Sequence, residues 1–404
     1  MTKRVLLHVG TPKTGTSYLQ DVLFRNRPVL AEHDILYPAE RFDDQFLAAL
    51  DLMRLPWGGL ETEAVGAWDR LAARVRAWDG TAIISHEILA TASRSQVGRA
   101  LESLGHRDGV EIHVVLSVRD LVRQIPAEWQ ENVKHRRTLS YARFLEEIRD
   151  PQRDSRIATW FWGVQEVPDI LDRWGHDLPP ERLHLVTVPG PGGPPSLLWQ
   201  RFSRVLGLDG LELDLEAERA NPSLGVPETA LLRRINQAVI HDLDPPDYRP
   251  LVRELLAHRT LSRRTDTPRL ALPPDVHPWA QDLAAAWAGE IKDRGYDVVG
   301  DLADLVGAPP VQEWADPDHP REKQVAGAAL DAISALLLEN AKLRHAEERL
   351  AGELHEAHRA LERAYLRPTY RFREKTVRRL RGSRAGRGAL KAYRVARGRS
   401  SRSE

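Results

Sequence analysis

The chain has no cysteine among its 404 residues. Disulfide cross-links, thiolate metal sites and a thiol nucleophile are therefore excluded. It also lacks any run of about 18 apolar residues, the length a membrane-crossing helix needs. The first residues carry no apolar core of the signal-peptide kind. The sequence thus reads as cytoplasmic. Net charge is absent as well, because 58 Lys plus Arg match 58 Asp plus Glu. That balance is uneven along the chain. From 367 to 404, 14 basic residues stand against 2 acidic ones, so the tail is +12 and the preceding residues carry −12. A basic tail on an acidic body points to an anionic partner: a membrane surface, nucleic acid or the body itself. A hydrophobic content of 42% supports a real core. The length suits one large domain or two ordinary ones.

The informative stretch is Arg4 to Leu19. Val5, Leu6, Leu7 and Val9 read as a buried strand. Gly10, Pro12 and Gly15 then bend the chain, and a helix with Leu19, Val22 and Leu23 on its apolar face opens at Thr16. Strand, glycine turn and helix start together make an anion cradle, because the N–H groups of a first helical turn have no partner within the helix. A Walker A loop has the form G-x-x-x-x-G-K-[ST]. Gly10 and Gly15 have that spacing, but Thr16 occupies the lysine position and the lysine lies inside the turn, at Lys13.

The pattern Pro12-Lys13-Thr14-Gly15-Thr16-Ser17 resembles the 5′-phosphosulfate loop of sulfotransferases that use 3′-phosphoadenosine 5′-phosphosulfate (PAPS). A second feature is similar to the same family. An apolar strand from Val110 to Val118 ends in Arg119, where relatives place an arginine for the 3′-phosphate. The planar fork of arginine takes two phosphate oxygens at once. Relatives add a serine a turn or two later. Ala127 stands there instead, which leaves Gln124, Arg123 or a later residue as the second ligand. The resemblance implies an α/β fold of three layers, α/β/α, with a central parallel sheet and a P-loop-like phosphosulfate-binding loop. It implies PAPS as cosubstrate and no metal. A P-loop kinase places an aspartate at a strand end to hold Mg²⁺, whereas Ser117-Val118-Arg119 occupies that place here.

Strands alternating with helices predict the parallel sheet independently. The remaining strands are read at Thr81–Ser85 and Leu183–Val188, with Ile35-Leu36 as an edge strand or turn. One helix is read from Glu61 to Trp78, with Val65, Trp68, Leu71, Ala72 and Val75 on its buried face. Ligands of such sheets sit beyond the carboxyl ends of the strands, so Lys13, Glu87 and Arg119 are expected on one rim. Sulfuryl transfer needs a general base for the acceptor. Glu87 and His86, side by side after the second long strand, are the candidates. Successive strand residues face opposite ways, so one of the two enters the site, and Glu87 is preferred. His135, Arg136 and Arg137 read as a lining for an anionic acceptor or the nucleotide, or as a solvated helix end. The Asn221-Pro222-Ser223-Leu224 loop is similar to a family feature near the nucleotide. His355 and His358 lack a third ligand, so no metal site is assigned.

The resemblance covers residues 1–307, and the span from 207 to 306 reads as helical and polar, with a loop at 221–225. Residues 308–322 are rich in proline and aspartate and read as a linker. Residues 323–366 carry a heptad pattern from Ala326 over six heptads, with only Asn340 and Glu347 polar at its a and d positions. That pattern predicts a coiled-coil helix and a homodimer through it; a helix folded back on the body is the other reading. The tail, 367–404, fits a basic amphipathic helix at the inner face of a membrane or a solvated, disordered arm. The acceptor is a glycan, a lipid or a small metabolite. Two other functions stay open: a P-loop kinase or related phosphotransferase, and a non-catalytic coiled-coil adaptor on a degenerate nucleotide fold.

Overall fold

A computed structural model describes residues 3–57, 59–194, 196–216 and 223–366, with five isolated positions beyond. Asn221, Pro222 and nearly all of the basic tail lie outside the described residues. Six strands form one sheet: β1 (Arg4–His8), β2 (Ile35–Leu36), β3 (Thr81–Ser85), β4 (Glu111–Val118), β5 (Leu183–Thr187) and β6 (Asp297–Val299). Their order is β2-β3-β1-β4-β5-β6, and every pair is parallel. The protein is therefore of the α/β class. β1 lies in the middle, between β3 and β4, so the chain crosses from one half of the sheet to the other around it.

Burial explains why the strand sequences are continuously apolar rather than alternating. On one face Leu6, Ile83, Val115 and Val186 pack with Leu19 and Leu23 of the Thr16–Arg25 helix and Phe202 and Leu206 of the Leu197–Leu206 helix. The residues of opposite orientation, Val5, Leu7, Ile84, Val114, Leu116 and Leu185, are buried as well. Each such side chain contributes roughly 1.5–3 kcal/mol on leaving water.

Histidines tie the strands at both edges of the sheet. At the carboxyl edge His8 bridges β3 and β4: Nδ1 is 2.7 Å from Ser85 Oγ and Nε2 is 3.0 Å from Ser117 Oγ. At the amino edge Glu111, His113, His184 and Asp297 form a chain across β4, β5 and β6, with steps of 2.6, 2.7 and 2.6 Å.

Several expectations need correction. β6 falls inside a span read as helical; only three residues long and bounded by Gly295 and Gly300, it leaves little periodic signal. The helix expected from Glu61 to Trp78 is two, Leu60–Ala64 and Ala67–Ala77, separated at Gly66 with φ 73°. The break turns Val65 outward, 69% exposed, instead of into the core.

Residues 1–333 form one compact unit. Its 308–322 segment is fastened to the body. Asp318 accepts the Tyr141 and Ala142 N–H groups at 3.0 and 2.9 Å and pairs with Arg233. The helix Glu322–Leu366 starts in this unit, where it buries Val325, Ala328 and Ala332. Those positions lie one residue before the expected seam, and Ala326 faces solvent. Beyond residue 333 the seam leucines Leu336, Leu343, Leu350, Leu354 and Leu361 are exposed. No helix among the described residues is long and apolar enough to cross a membrane.

Candidate active site at the carboxyl rim

The turn after β1 holds three residues with positive φ: Gly10 at 118°, Lys13 at 63° and Gly15 at 92°. The glycines are required by space as well as by dihedral. A Cβ on Gly10 would stand 2.9 Å from the Glu87 carbonyl oxygen, and one on Gly15 would stand 2.6 Å from Leu198 Cδ2. Lys13 has no such excuse. A non-glycine residue in the left-handed region costs about 1–3 kcal/mol and persists only where its surroundings enforce it.

Those surroundings are visible. Gln124 Nε2 donates to the Pro12 carbonyl at 2.6 Å, and Arg119 Nη1 donates to the Lys13 carbonyl at 3.4 Å. The Thr14 hydroxyl donates to the Thr11 carbonyl at 2.5 Å and sits 2.6 Å from Ser117 Oγ, which itself donates to the Gly10 carbonyl. Ser117 thereby joins the turn to His8. Burial drives His8 down to about 4. At neutral pH it is an uncharged bridge between two hydroxyls.

The Lys13 ammonium points to the helix Leu121–Lys134, where Nζ lies 2.5 Å from Glu131 Oε2. Glu131 also meets His135 Nε2 and Arg253 Nη2, each at 3.2 Å, and Lys134 Nζ at 4.0 Å. Burial pushes the Glu131 carboxyl up, but the His135 hydrogen bond, Lys13 and Lys134 pull it well below the usual carboxylate range. One turn earlier, Glu128 accepts from Gln165 Nε2 at 3.1 Å. Burial, helped by Glu131 and Glu87, raises it to about 7 against the pull of Lys13.

Glu87 accepts from Gln20 Nε2 at 2.9 Å. Burial raises its carboxyl, but His86, the Gln20 bond and Lys13 outweigh it and leave it below its ordinary value. Burial lowers His86. Its Nδ1 accepts the Ile88 N–H at 3.3 Å, and its ring stacks on Phe46 at 5.0 Å. With Nδ1 occupied, the neutral ring carries its proton on Nε2. Arg119, pushed down to about 10 by burial and by Arg123, keeps its charge at neutral pH.

The expected site residues thus follow the ends of three adjacent strands: Lys13 after β1, Glu87 after β3 and Arg119 after β4. Thr16 is buried at the helix start, and Ser17 is half-buried in the first turn. The Thr14 hydroxyl and the Gln124 amide are spent on bracing the turn, with Gln124 only 1% exposed. Arg123 is committed to Asp120 and the Pro189 carbonyl. Arg136 donates to the carbonyls of Ile240 and Leu243, while His135 does face the site. Leu224 is clamped through its own N–H and carbonyl by Gln130.

Sequence reasoning missed His8, Ser117, Glu128 and Glu131. Glu128, Glu131 and Lys134 recur at three-residue spacing on the helix that follows Arg119, which places them on one face. That spacing was the available signal. Among the described residues no cluster of histidines and carboxylates has the arrangement of a metal site. No protein-family model, no curated protein and no solved structure matches the chain.

Proposed function

We propose that the protein is a PAPS-dependent sulfotransferase, and that the turn after β1 is a P-loop-like phosphosulfate cradle. One observation carries this reading: the lysine sits within the turn, in a left-handed conformation enforced by four braces, on the same rim as an ionised carboxylate and a charged arginine. The unpartnered N–H groups of the first helical turn and Lys13 would hold the 5′-phosphosulfate. Arg119 would hold the 3′-phosphate, since Arg123 and Gln124 are committed elsewhere.

The acceptor oxygen or nitrogen attacks sulfur, the bond from sulfur to the phosphate oxygen breaks in line, and the acceptor proton passes to a base. Glu87 suits that role because it is ionised at neutral pH. The Nδ1 lone pair of His86 is already taken by the Ile88 N–H. Negative charge gathering on the departing phosphate oxygen faces Lys13 and the turn N–H groups, the donors placed where charge develops.

The test is thermal stabilisation by 3′-phosphoadenosine 5′-phosphate against ATP with Mg²⁺. Stabilisation by the former supports the reading. Stabilisation by ATP–Mg²⁺ alone indicates a kinase, and no shift with either indicates an adaptor. The exposed leucines beyond residue 333 support pairing with a second copy through the heptad seam. Sedimentation of a Leu343→Asp, Leu350→Asp variant should show a monomer where the parent chain is a dimer.

A further inference from the structure

This inference rests on the sulfotransferase reading and concerns the molecule that receives the sulfuryl group. A chain of contacts leads from Lys13 to the neighbour of Glu87. Lys13 meets Glu131, and Glu131 meets His135. His135 meets the Trp57 ring edge-on at 6.2 Å, Trp57 meets Phe46 at 5.7 Å, and Phe46 stacks on His86 next to Glu87. Trp57 and Phe46 are both partly exposed. They form an aromatic wall between the base and the Glu131 cluster, from a segment that contributes nothing to the phosphosulfate turn.

Further cations gather at the Glu131 end of this chain. Arg253, on a π-helical stretch Arg249–Thr260, gives Nη2 to Glu131, while its Nε is buried without a hydrogen-bond partner. His258, one turn on, pairs through Nδ1 with Glu254 and has a buried Nε2 with no partner. Lys134 is 2% exposed. Burial drives it down to about 8 despite Glu131, and Lys13 and Arg253 add to the shift. The charged groups facing one another here are Lys13, Lys134 and Arg253 against Glu131, Glu87 and Glu254, with Glu128 half-neutral near pH 7. Charge is close to balance, but the Arg253 guanidinium keeps a buried donor that no carboxylate meets.

We propose that the acceptor is an anion bearing a ring, held with its negative group against Arg253 and Lys134 and its ring against Trp57 and Phe46. A carboxylate, sulfate or phosphate there would supply the acceptor atom that Arg253 Nε lacks. The aromatic wall would take the apolar face of a sugar or an arene. The acceptor hydroxyl would then lie between the wall and Lys13, within reach of Glu87.

Titration calorimetry with matched probes tests this. One pair is methyl glucuronide and methyl glucoside; the other is 4-hydroxybenzoate and 4-hydroxybenzyl alcohol. The charged member of at least one pair should bind ten-fold or more tightly than its neutral partner. Whichever pair shows the difference identifies the ring as sugar or arene. Arg253→Gln should remove it, leaving charged and neutral members within about two-fold, and Trp57→Ala should weaken both members equally. Equal affinity within both pairs, or no binding of any probe, overturns the proposal. So does an Arg253→Gln variant that keeps the preference. The same samples are assayed for the thermal shift with 3′-phosphoadenosine 5′-phosphate, which Arg253→Gln should leave unchanged. If that shift is absent while the charged probe binds, the sulfotransferase reading fails and the anion site stands.

Discussion

Both edges of the sheet are tied by histidine, yet the two ties differ in kind. At the amino edge His113 and His184 lie between carboxylates, Glu111 and Asp297, that reach the surface. At the carboxyl edge His8 is wholly buried between two serine hydroxyls. A carboxylate that loses its partner at the surface turns to water, whereas a buried hydroxyl that loses its partner stays unsatisfied. The first tie is replaceable and the second is not. The irreplaceable one is continuous with the turn that carries Lys13, through Ser117 and Thr14. Rigidity in this sheet is concentrated where a ligand would be held.

The largest effect separates the two roles within the rim. Lys13→Ala should lower the proposed sulfuryl transfer from PAPS by about a thousand-fold, the upper range for one preorganised charge donor. Its melting temperature should stay within a few degrees, since His135, Lys134 and Arg253 still face Glu131. A large loss of stability in that variant would mean that Lys13 serves the fold rather than a ligand. His8→Ala should act the opposite way and destabilise the fold by about 3 kcal/mol in denaturant titration, because it opens a cavity and strands the Ser85 hydroxyl.

The next effect is in pH. His8 falls from 6.5 to about 4 on folding. The unfolded chain then takes up a proton that the fold refuses, so stability present above pH 6.5 is lost as pH falls toward 4. The amount is roughly 3 kcal/mol. Glu128 rises from 4.5 to about 7 and works in reverse: its contribution is complete below pH 4.5 and is lost as pH rises through 7. The two slopes oppose each other between pH 4.5 and 6.5. Glu128→Gln removes one of them, so its urea midpoint should climb more steeply with pH across that window than the parent's. Identical slopes would rule out the assignment. The smallest effect belongs to the amino edge, where His113→Gln should cost about 1 kcal/mol or less.

The sheet was legible because its strands are buried on both faces and spell continuous apolar runs. Its rim followed from strand order alone. The turn was legible because its glycines and lysine have a fixed spacing. What escaped depended on geometry that spacing does not encode. β6 is too short to show a period. Gly66 looks like any helical glycine until its left-handed φ ends one helix and starts another. The long helix was found, but its first turns bury Val325, Ala328 and Ala332 because the body, not a second helix, sets the register there. Glu131 escaped for a similar reason. A glutamate on a helix surface is ordinary, and only the fold brings Lys13, across 118 residues, to its carboxylate.

That carboxylate also acts as a tethered rival. Any anion that Lys13 serves must displace a partner held at 2.5 Å, one that never diffuses away and so competes at a high effective concentration. A small anion offering a single charge to Lys13 alone loses that contest. A ligand anchored at the same time by Arg119 and by the first-turn N–H groups, as proposed, would win it, because its hold would not depend on the lysine. The Lys13–Glu131 pair would then discriminate by the number of simultaneous anchors rather than by size or shape.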